Sequence, residues 1–257
     1  MNRISRAVVA LLIINIAVFA AGVLLPGWRE QIIVTGALWF PTNDYFGFWQ
    51  VVTYMFLHAD FGHIFFNMYA LLSFGSILER EWGAGRFLVF YFLCGIGAGL
   101  VQLGVNWHEF AGLHAQLVAA GMTPEAIHAM LSSDLADVSA NPAVQKMADD
   151  LRDVYFAHTV GASGAIYGLL VAFGCLHPNA KLALIFVPVP IAAKFFVPAL
   201  LLLDLFSGVT GFSLFGGNVA HFAHVGGGVI GFLLMILWRH RGRMPAGTEA
   251  IAPHPTA

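Results

Sequence analysis

Val160-Gly161-Ala162-Ser163-Gly164-Ala165-Ile166-Tyr167-Gly168 runs directly into Leu169-Leu170-Val171-Ala172-Phe173-Gly174-Cys175-Leu176, and the reading of this stretch decides the fold. A Ser between small residues resembles the elbow of a soluble hydrolase, but such an elbow follows a strand. No ordinary strand pattern precedes Ser163, and the helix after it is apolar on every side, which marks an embedded helix. A nucleophile at a membrane helix terminus needs a base from another span. Ala223-His224-Val225-Gly226-Gly227 opens the last apolar segment and offers one.

Composition sets the solvent around these two motifs. Of 257 residues, 59% are hydrophobic and 10% charged, with a mean hydropathy of +0.78. Soluble domains carry about 25% charged residues, so the chain reads as a polytopic membrane protein. The fold class is all-α, a bundle of helical spans. A net charge of −2 gives no reason to expect nucleic acid. Cys94 and Cys175 both sit in apolar runs and read as small buried hydrophobes, not as a disulfide.

Six spans are expected, roughly Arg6–Leu25, Phe61–Leu78, Phe87–Val105, Ala162–Leu176, Phe195–Val209 and Val219–Trp238. The fourth and fifth are short against the ~20 helical residues that cross a bilayer. A short span implies an end below the membrane surface, where protein or a water-filled cavity satisfies the free backbone groups. Lys and Arg set the direction. With the N-terminus cytoplasmic, Arg3, Arg6, Arg80, Arg86, Lys181, Lys194, Arg239, Arg241 and Arg243 fall inside and Arg29, Lys146 and Arg152 outside, nine against three. Both termini are then cytoplasmic. A cleaved leader, suggested by Arg3, Arg6 and Ala20-Ala21-Gly22, is disfavoured because the first apolar run is long for one.

Residues 1–241 are therefore read as one membrane unit, with residues 106–158 an outer insertion between the third and fourth spans and residues 242–257 a disordered polar tail. Pro26–Leu57 is an outer connector too aromatic to be fully solvated and is expected partly in the interface. Thr123-Pro124 and Asn141-Pro142 have the form of N-cap and N1 pairs that start two helices. Leu182–Pro190 is apolar but carries Pro188 and Pro190, and is expected to lie along the cytoplasmic face. No internal repeat is visible, which disfavours an inverted-repeat transporter.

Three polar clusters then fall at one depth. His63 and Asn67 are one turn apart at the outer end of the second span, Ser163 starts the fourth, and His224 starts the sixth. Polar residues inside spans are costly and mark functional sites. A serine hydroxyl is a weak nucleophile that needs an adjacent base, and an imidazole can take and return its proton. Gly226, Gly227, Gly228 and Gly231 on the sixth span and Gly161, Gly164 and Gly168 on the fourth permit the close helix contact that would join them. Tyr167, one turn below Ser163, can pack on the His224 ring. The first-turn N–H of Ser163 lacks an intrahelical acceptor and can serve a developing oxyanion, as can the side chains of His63 and Asn67. Asp60 ends an outer loop and Asp204 belongs to the fifth span, so no acidic third member is evident and the pair is read as a Ser–His dyad.

Plainer readings stand beside each piece. Glycine clusters in spans most often only pack helices, and His63 and Asn67 can be interhelical hydrogen-bond glue. Tyr167 taken alone suits a core or an interface, and the acidic outer segment suits a solvated face. His58, His63, His221 and His224 form a conceivable metal-ligand set, but that reading leaves Asn67 and Ser163 without a role. Asp204 alone hints at an ion or proton site.

Taken together these residues resemble the rhomboid family of intramembrane serine proteases. The likeness runs from Phe48-Trp49-Gln50 through Thr53, His58, His63 and Asn67 to Glu79-Arg80-Glu81-Trp82-Gly83, and returns at Gly161–Gly168 and at Ala223–Gly227. It implies a six-span bundle that cuts transmembrane segments of other proteins, in a bilayer and without cofactor or metal. By motif position Ser163 is the implied nucleophile and His224 its base. His63, Asn67 and the Ser163 backbone are the implied oxyanion hole, supported by Gly161, Ala162 and Gly227, with Tyr167 stacked on the base. A bacterial inner membrane is the expected setting, with the site opening to the outer face. Two features depart from the pattern: Trp49-Gln50 stands where some members carry Trp-Arg, and the outer insertion is long for a minimal bacterial member. A catalytically silent relative that binds membrane clients is the alternative; a transporter is a more distant one.

Overall fold

Continuous apolar sequence makes the helices of this chain long. In the computed structural model, which describes residues 5–133, 138–184, 187–212 and 219–240, the first of them is α1 (Arg6–Leu24). A connector follows, containing α2 (Trp28–Gly36), the short strand β1 (Leu38–Trp39), α3 (Gln50–Thr53) and a 3₁₀ turn over Tyr54–Phe56. The second apolar rod begins as α4 (Phe61–Ala70), loosens into a π-helical turn over Leu71–Gly75 and resumes as α5 (Ser76–Trp82). Gly83, at φ +79, ends it in a conformation open to glycine, and α6 (Ala84–Ala119) starts at once.

The remaining elements are α7 (Pro124–Leu131), α8 (Pro142–Phe156), β2 (His158–Thr159), α9 (Ser163–Leu176), β3 (Lys181–Leu184), β4 (Val187–Ala192), α10 (Ala193–Thr210) and α11 (His221–His240). Among the described residues, five rods are long and apolar enough to cross a membrane: α1, the α4–α5 rod, α6, α10 and α11. The sixth apolar helix, α9, has 14 residues. At ~1.5 Å per residue it rises about 21 Å, short of the ~30 Å hydrocarbon slab. The all-α bundle expected from composition is thus present.

The structure departs from expectation at the end of the third span and at Cys175. The third span does not end near Val105; α6 runs on to Ala119, because Asn106, Trp107, His108 and Glu109 do not break a helix. Its upper half, with α7 and α8, buries a separate small core of Leu117, Ile127, Met130, Ala148 and Leu151. Leu182–Pro190 is not helical; β3 and β4 pair antiparallel, Pro188 and Pro190 being tolerable on an edge strand. Cys94 is buried but Cys175 is exposed, and both thiols are free. The tail from residue 242 lies outside the described residues. Thr123 and Asn141 do cap their helices, accepting from the Ala126 and Ala143 amides at 3.2 and 3.0 Å.

α9 occupies the middle of the bundle, against α6, α10, α11 and the π turn. Lipid tails are as apolar as leucine, so close van der Waals approach must hold such helices together. A Cβ placed on Gly227 would fall 1.9 Å from the Gly164 carbonyl oxygen, and one on Gly164 would fall 2.5 Å from Ala98 Cβ. Small residues here set the α9–α11 and α6–α9 spacings. Polar side chains pin the helix starts. The buried Glu79 carboxylate accepts from the Ala7 and Val8 amides at 3.0 and 2.9 Å, satisfying first-turn donors of α1. Gln102 Oε1 on α6 accepts from the Ala223 amide at 3.1 Å, fixing the first turn of α11.

The connector is tied down as an aromatic raft. Phe48 and Trp49 are exposed, whereas Gln50 is fully buried and donates to the Tyr45 carbonyl at 2.7 Å. A neutral amide thus occupies the place where a guanidinium was the alternative, and the loop is held by side chains that donate to backbone carbonyls. β1 pairs antiparallel with β2, Leu38 opposite Thr159 and Trp39 opposite His158, so the connector grips the chain just before Ser163.

Candidate active site

Ser163 is the first residue of α9, and the backbone ahead of it is fixed on several sides. The Gly161 amide donates to the Tyr54 carbonyl at 2.9 Å. The Tyr54 hydroxyl in turn donates to the Gly95 carbonyl of α6 at 2.7 Å. Gly161 takes φ +126, a region that excludes side-chain-bearing residues. A Cβ there would lie 2.7 Å from His63 Nε2 and 3.5 Å from Ser163 Oγ. The bare face of Gly161 therefore keeps open the space between His63 and Ser163. Ala162, fully buried, is the N-cap of α9 and accepts from the Ile166 amide at 3.1 Å.

His224 sits in the first turn of α11, and its Nε2 is 2.8 Å from Ser163 Oγ. Tyr167 stacks on its imidazole with ring centroids 4.3 Å apart and planes 10° from parallel. Two of the three polar clusters are thus joined directly, and Gly227, one turn further along α11, provides the close approach that allows it.

Asp204, which showed no partner in the sequence, has three here. This carboxylate is buried on α10 and is not isolated. Oδ1 lies 3.0 Å from His224 Nδ1 and 2.7 Å from His221 Nδ1, and Oδ2 accepts from the Tyr167 hydroxyl. Sequence inspection missed the partnership because Asp204 and His224 are 20 positions apart on different helices. The available signal was His221 and His224 on one face of a helix start, since a carboxylate on a neighbouring span is the acceptor such a pair requires.

His63 and Asn67 stand beside this line without a hydrogen bond to Ser163 among the described residues. Asp60 caps α4 by accepting from the His63 amide at 2.9 Å. The Ala59 amide donates to His63 Nδ1 at 3.4 Å. With Nδ1 accepting, a neutral His63 ring carries its proton on Nε2, the atom beside the open face of Gly161. The buried Asn67 amide donates back to the His63 carbonyl at 2.9 Å, which leaves a second N–H. His58, in the loop below, packs edge-on against His63 at 5.0 Å. Burial, helped by the neighbouring His63, lowers the His58 pKa to about 3, so the ring is uncharged.

The four histidines weighed as a metal set fall into two separate ring pairs, His58 with His63 and His221 with His224. Asp204, His221 and His224 do present three ligand-type atoms within 4.8 Å, but both imidazole nitrogens there are hydrogen-bonded to the carboxylate.

Comparison with known proteins agrees with the architecture. The Rhomboid domain family matches residues 45–241, which is most of the chain and includes every site residue discussed. The chain belongs to the rhomboid family and is an integral membrane protein. It is similar to Rhomboid protein 1, mitochondrial, of Saccharomyces cerevisiae, 27% identical over 88% of this chain and 51% of the yeast protein. It is also similar to Rhomboid protease AarA of Providencia stuartii, 26% identical over 89% of this chain and 70% of that protein. A shorter match, 32% identical over 25% of this chain and 18% of the relative, is to Inactive RHOMBOID-like protein 8 of Arabidopsis thaliana. The chain spans about half the length of the yeast mitochondrial relative and of a fission-yeast counterpart, 51% and 52% respectively.

Proposed function

We propose that this chain is an intramembrane serine endopeptidase that hydrolyses peptide bonds in or near transmembrane segments of other proteins. The observation that carries the reading is the 2.8 Å contact between Ser163 Oγ and His224 Nε2 at the end of a helix too short to cross the bilayer. His224 Nε2 takes the hydroxyl proton as Oγ attacks the scissile carbonyl. The resulting oxyanion is met by the Ser163 amide, by His63 Nε2–H, which faces the space kept open by Gly161, and by the second Asn67 N–H. His224 then passes its proton to the leaving amine, and water hydrolyses the acyl-enzyme by the same steps in turn.

A substrate helix has its carbonyls bonded internally, so it must unwind locally before Ser163 can reach one. Substrates with Gly, Pro or another helix-weakening residue near the site end of their span are favoured, and the crowded glycine-lined surroundings suit a small scissile residue. The Lys/Arg bias supports cytoplasmic termini and an outward-facing site, and a bacterial plasma membrane suits this arrangement.

One relative bears the name of an inactive protein, so a silent scaffold is the competing reading; intact Ser163 and His224 in hydrogen-bond contact favour catalysis. Transport is disfavoured because the one carboxylate that suggested it is engaged by three side chains. The test is cleavage of a reconstituted transmembrane substrate together with labelling by a fluorophosphonate. Ser163→Ala and His224→Ala should each abolish turnover, the double variant being no worse than either single one, and Ser163→Ala should abolish labelling. Substantial turnover by Ser163→Ala would overturn the assignment.

A further inference from the structure

We propose that Asp204 is a positioning residue of the hydrolytic centre, holding His224 in the tautomer that a base for Ser163 requires, with His221 and Tyr167 holding Asp204 in turn. The proposal rests on the reading of Ser163 and His224 as nucleophile and base. A neutral imidazole has one N–H and one lone pair, and its surroundings choose which nitrogen carries which. A base for Ser163 needs the lone pair on Nε2. Nδ1 must then carry the proton and have an acceptor.

Asp204 Oδ1, 3.0 Å from His224 Nδ1, is that acceptor. With Ser163 Oγ at 2.8 Å on the other side of the ring, the three groups have the order of a nucleophile–imidazole–carboxylate relay, in which the acid orients the base and stays ionised. A carboxylate in a membrane span is costly unless its oxygens are satisfied. Here His221 Nδ1–H meets Oδ1 at 2.7 Å, and the Tyr167 hydroxyl meets Oδ2.

These two donors do more than solvate the acid. Tyr167 also lies flat on the His224 ring at 4.3 Å, so one side chain restrains the imidazole from its face and restrains the carboxylate that holds its edge. His221 is one turn ahead of His224 on α11 and, by binding the same oxygen, fixes α10 against the start of α11. The site therefore draws on α9, α10 and α11 together: Ser163 and Tyr167 from the first, Asp204 from the second, His221 and His224 from the third.

The decisive experiment pairs kinetics with a direct view of the tautomer. Asp204→Asn keeps the side-chain shape but can present an N–H to His224 Nδ1. It should lower kcat on a reconstituted transmembrane substrate by about 10²–10⁴ with little change in KM, and slow fluorophosphonate labelling of Ser163 in proportion. Nitrogen-15 NMR of histidine-labelled wild-type protein, with the His224 signals assigned by loss in His224→Gln, should show neutral His224 protonated at Nδ1. Kinetics of Asp204→Asn within about threefold of wild type would overturn the proposal, threefold being well under the tenfold step that ~1.4 kcal/mol of barrier produces. So would an Nε2–H tautomer in the wild type, a measurement that decides the matter even if Asp204→Asn does not fold. These outcomes are separable from failure of the protease reading itself, which is signalled by turnover in Ser163→Ala whatever Asp204 does.

Discussion

A methyl group at position 161 would meet two barriers at once. The backbone there has φ +126, which an L-residue adopts only with strain of about 1–3 kcal/mol, and the new carbon would press 2.7 Å from His63 Nε2. Both penalties act where the proposed mechanism places the oxyanion. Gly161→Ala should therefore lower kcat by about 10²–10³, the scale of losing one oxyanion donor, and lower the unfolding midpoint in a denaturing-detergent titration. Gly104→Ala is the matched control, since a Cβ there meets nothing within 4 Å. It should leave turnover unchanged and favour helix by up to about 1 kcal/mol. At this scale most of the candidate site was legible. Ser163, His224, His63, Asn67 and Tyr167 announce themselves as polar groups at one end of apolar runs. Asp204 did not, because its partners come from three-dimensional proximity between spans, and a lone carboxylate in a sequence carries no mark of what it faces.

Between elements, the spacing of α9 and α11 is set by atoms that are absent. Because a Gly227 side chain would begin 1.9 Å from the Gly164 carbonyl, Gly227→Ala must push the two helices apart. A displacement of ~1 Å between catalytic groups is enough to cost about 100-fold in rate. Gly227→Ala should accordingly reduce fluorophosphonate labelling of Ser163 by about two orders of magnitude while the protein still extracts and migrates as folded wild type. Labelling at the wild-type rate would mean that the contact relaxes elsewhere. The glycine pattern that produces this spacing can be read from sequence, as can the Thr123 and Asn141 caps. The length of α6 cannot: nothing between Val105 and Ala119 breaks a helix or demands one, and the decision is made by the small core that α7 and α8 complete. The β3–β4 hairpin was hidden for a similar reason. Its apolar residues have no alternation to reveal an edge, and its prolines argue against helix without naming a strand.

For the molecule as a whole, orientation is the property with the strongest sequence basis, nine Lys and Arg residues against three. The bundle's connectivity makes it testable at two points. A reporter joined after Trp238 should be cytoplasmic, and one inserted at Ser133, in the loop after α7, should lie on the opposite side. Alkaline phosphatase activity from the C-terminal fusion would reverse the assignment. The helical bundle itself was legible because hydropathy and the bilayer's thickness act on whole segments. The packing of α7 and α8 onto α6 was not, because the core they share is too small to leave a strong pattern in the chain.

The continuity of α6 also governs how the chain's length can change. Its 36 residues rise about 54 Å, against a hydrocarbon slab of ~30 Å, so the same rod that packs against α9 carries the cap of α7 and α8 above the membrane. The cap is fastened back onto the connector: the Asn43 amide donates to the Tyr155 carbonyl and the Tyr155 hydroxyl to the Thr42 carbonyl, each at 3.0 Å. Inserting a single residue into α6 between Asn106 and Leu117 would swing everything above it through about 100° and lift it by about 1.5 Å, tearing both fastenings from the strand pair that leads into Ser163. The rod is in this sense an indexed shaft, whose angular phase is transmitted to the segment that leads into Ser163. A residue added in the turn at Ala120–Thr123 lies outside the helix and leaves its phase unchanged, but a one-residue slip within the shaft is felt at the far end as a displaced Ser163.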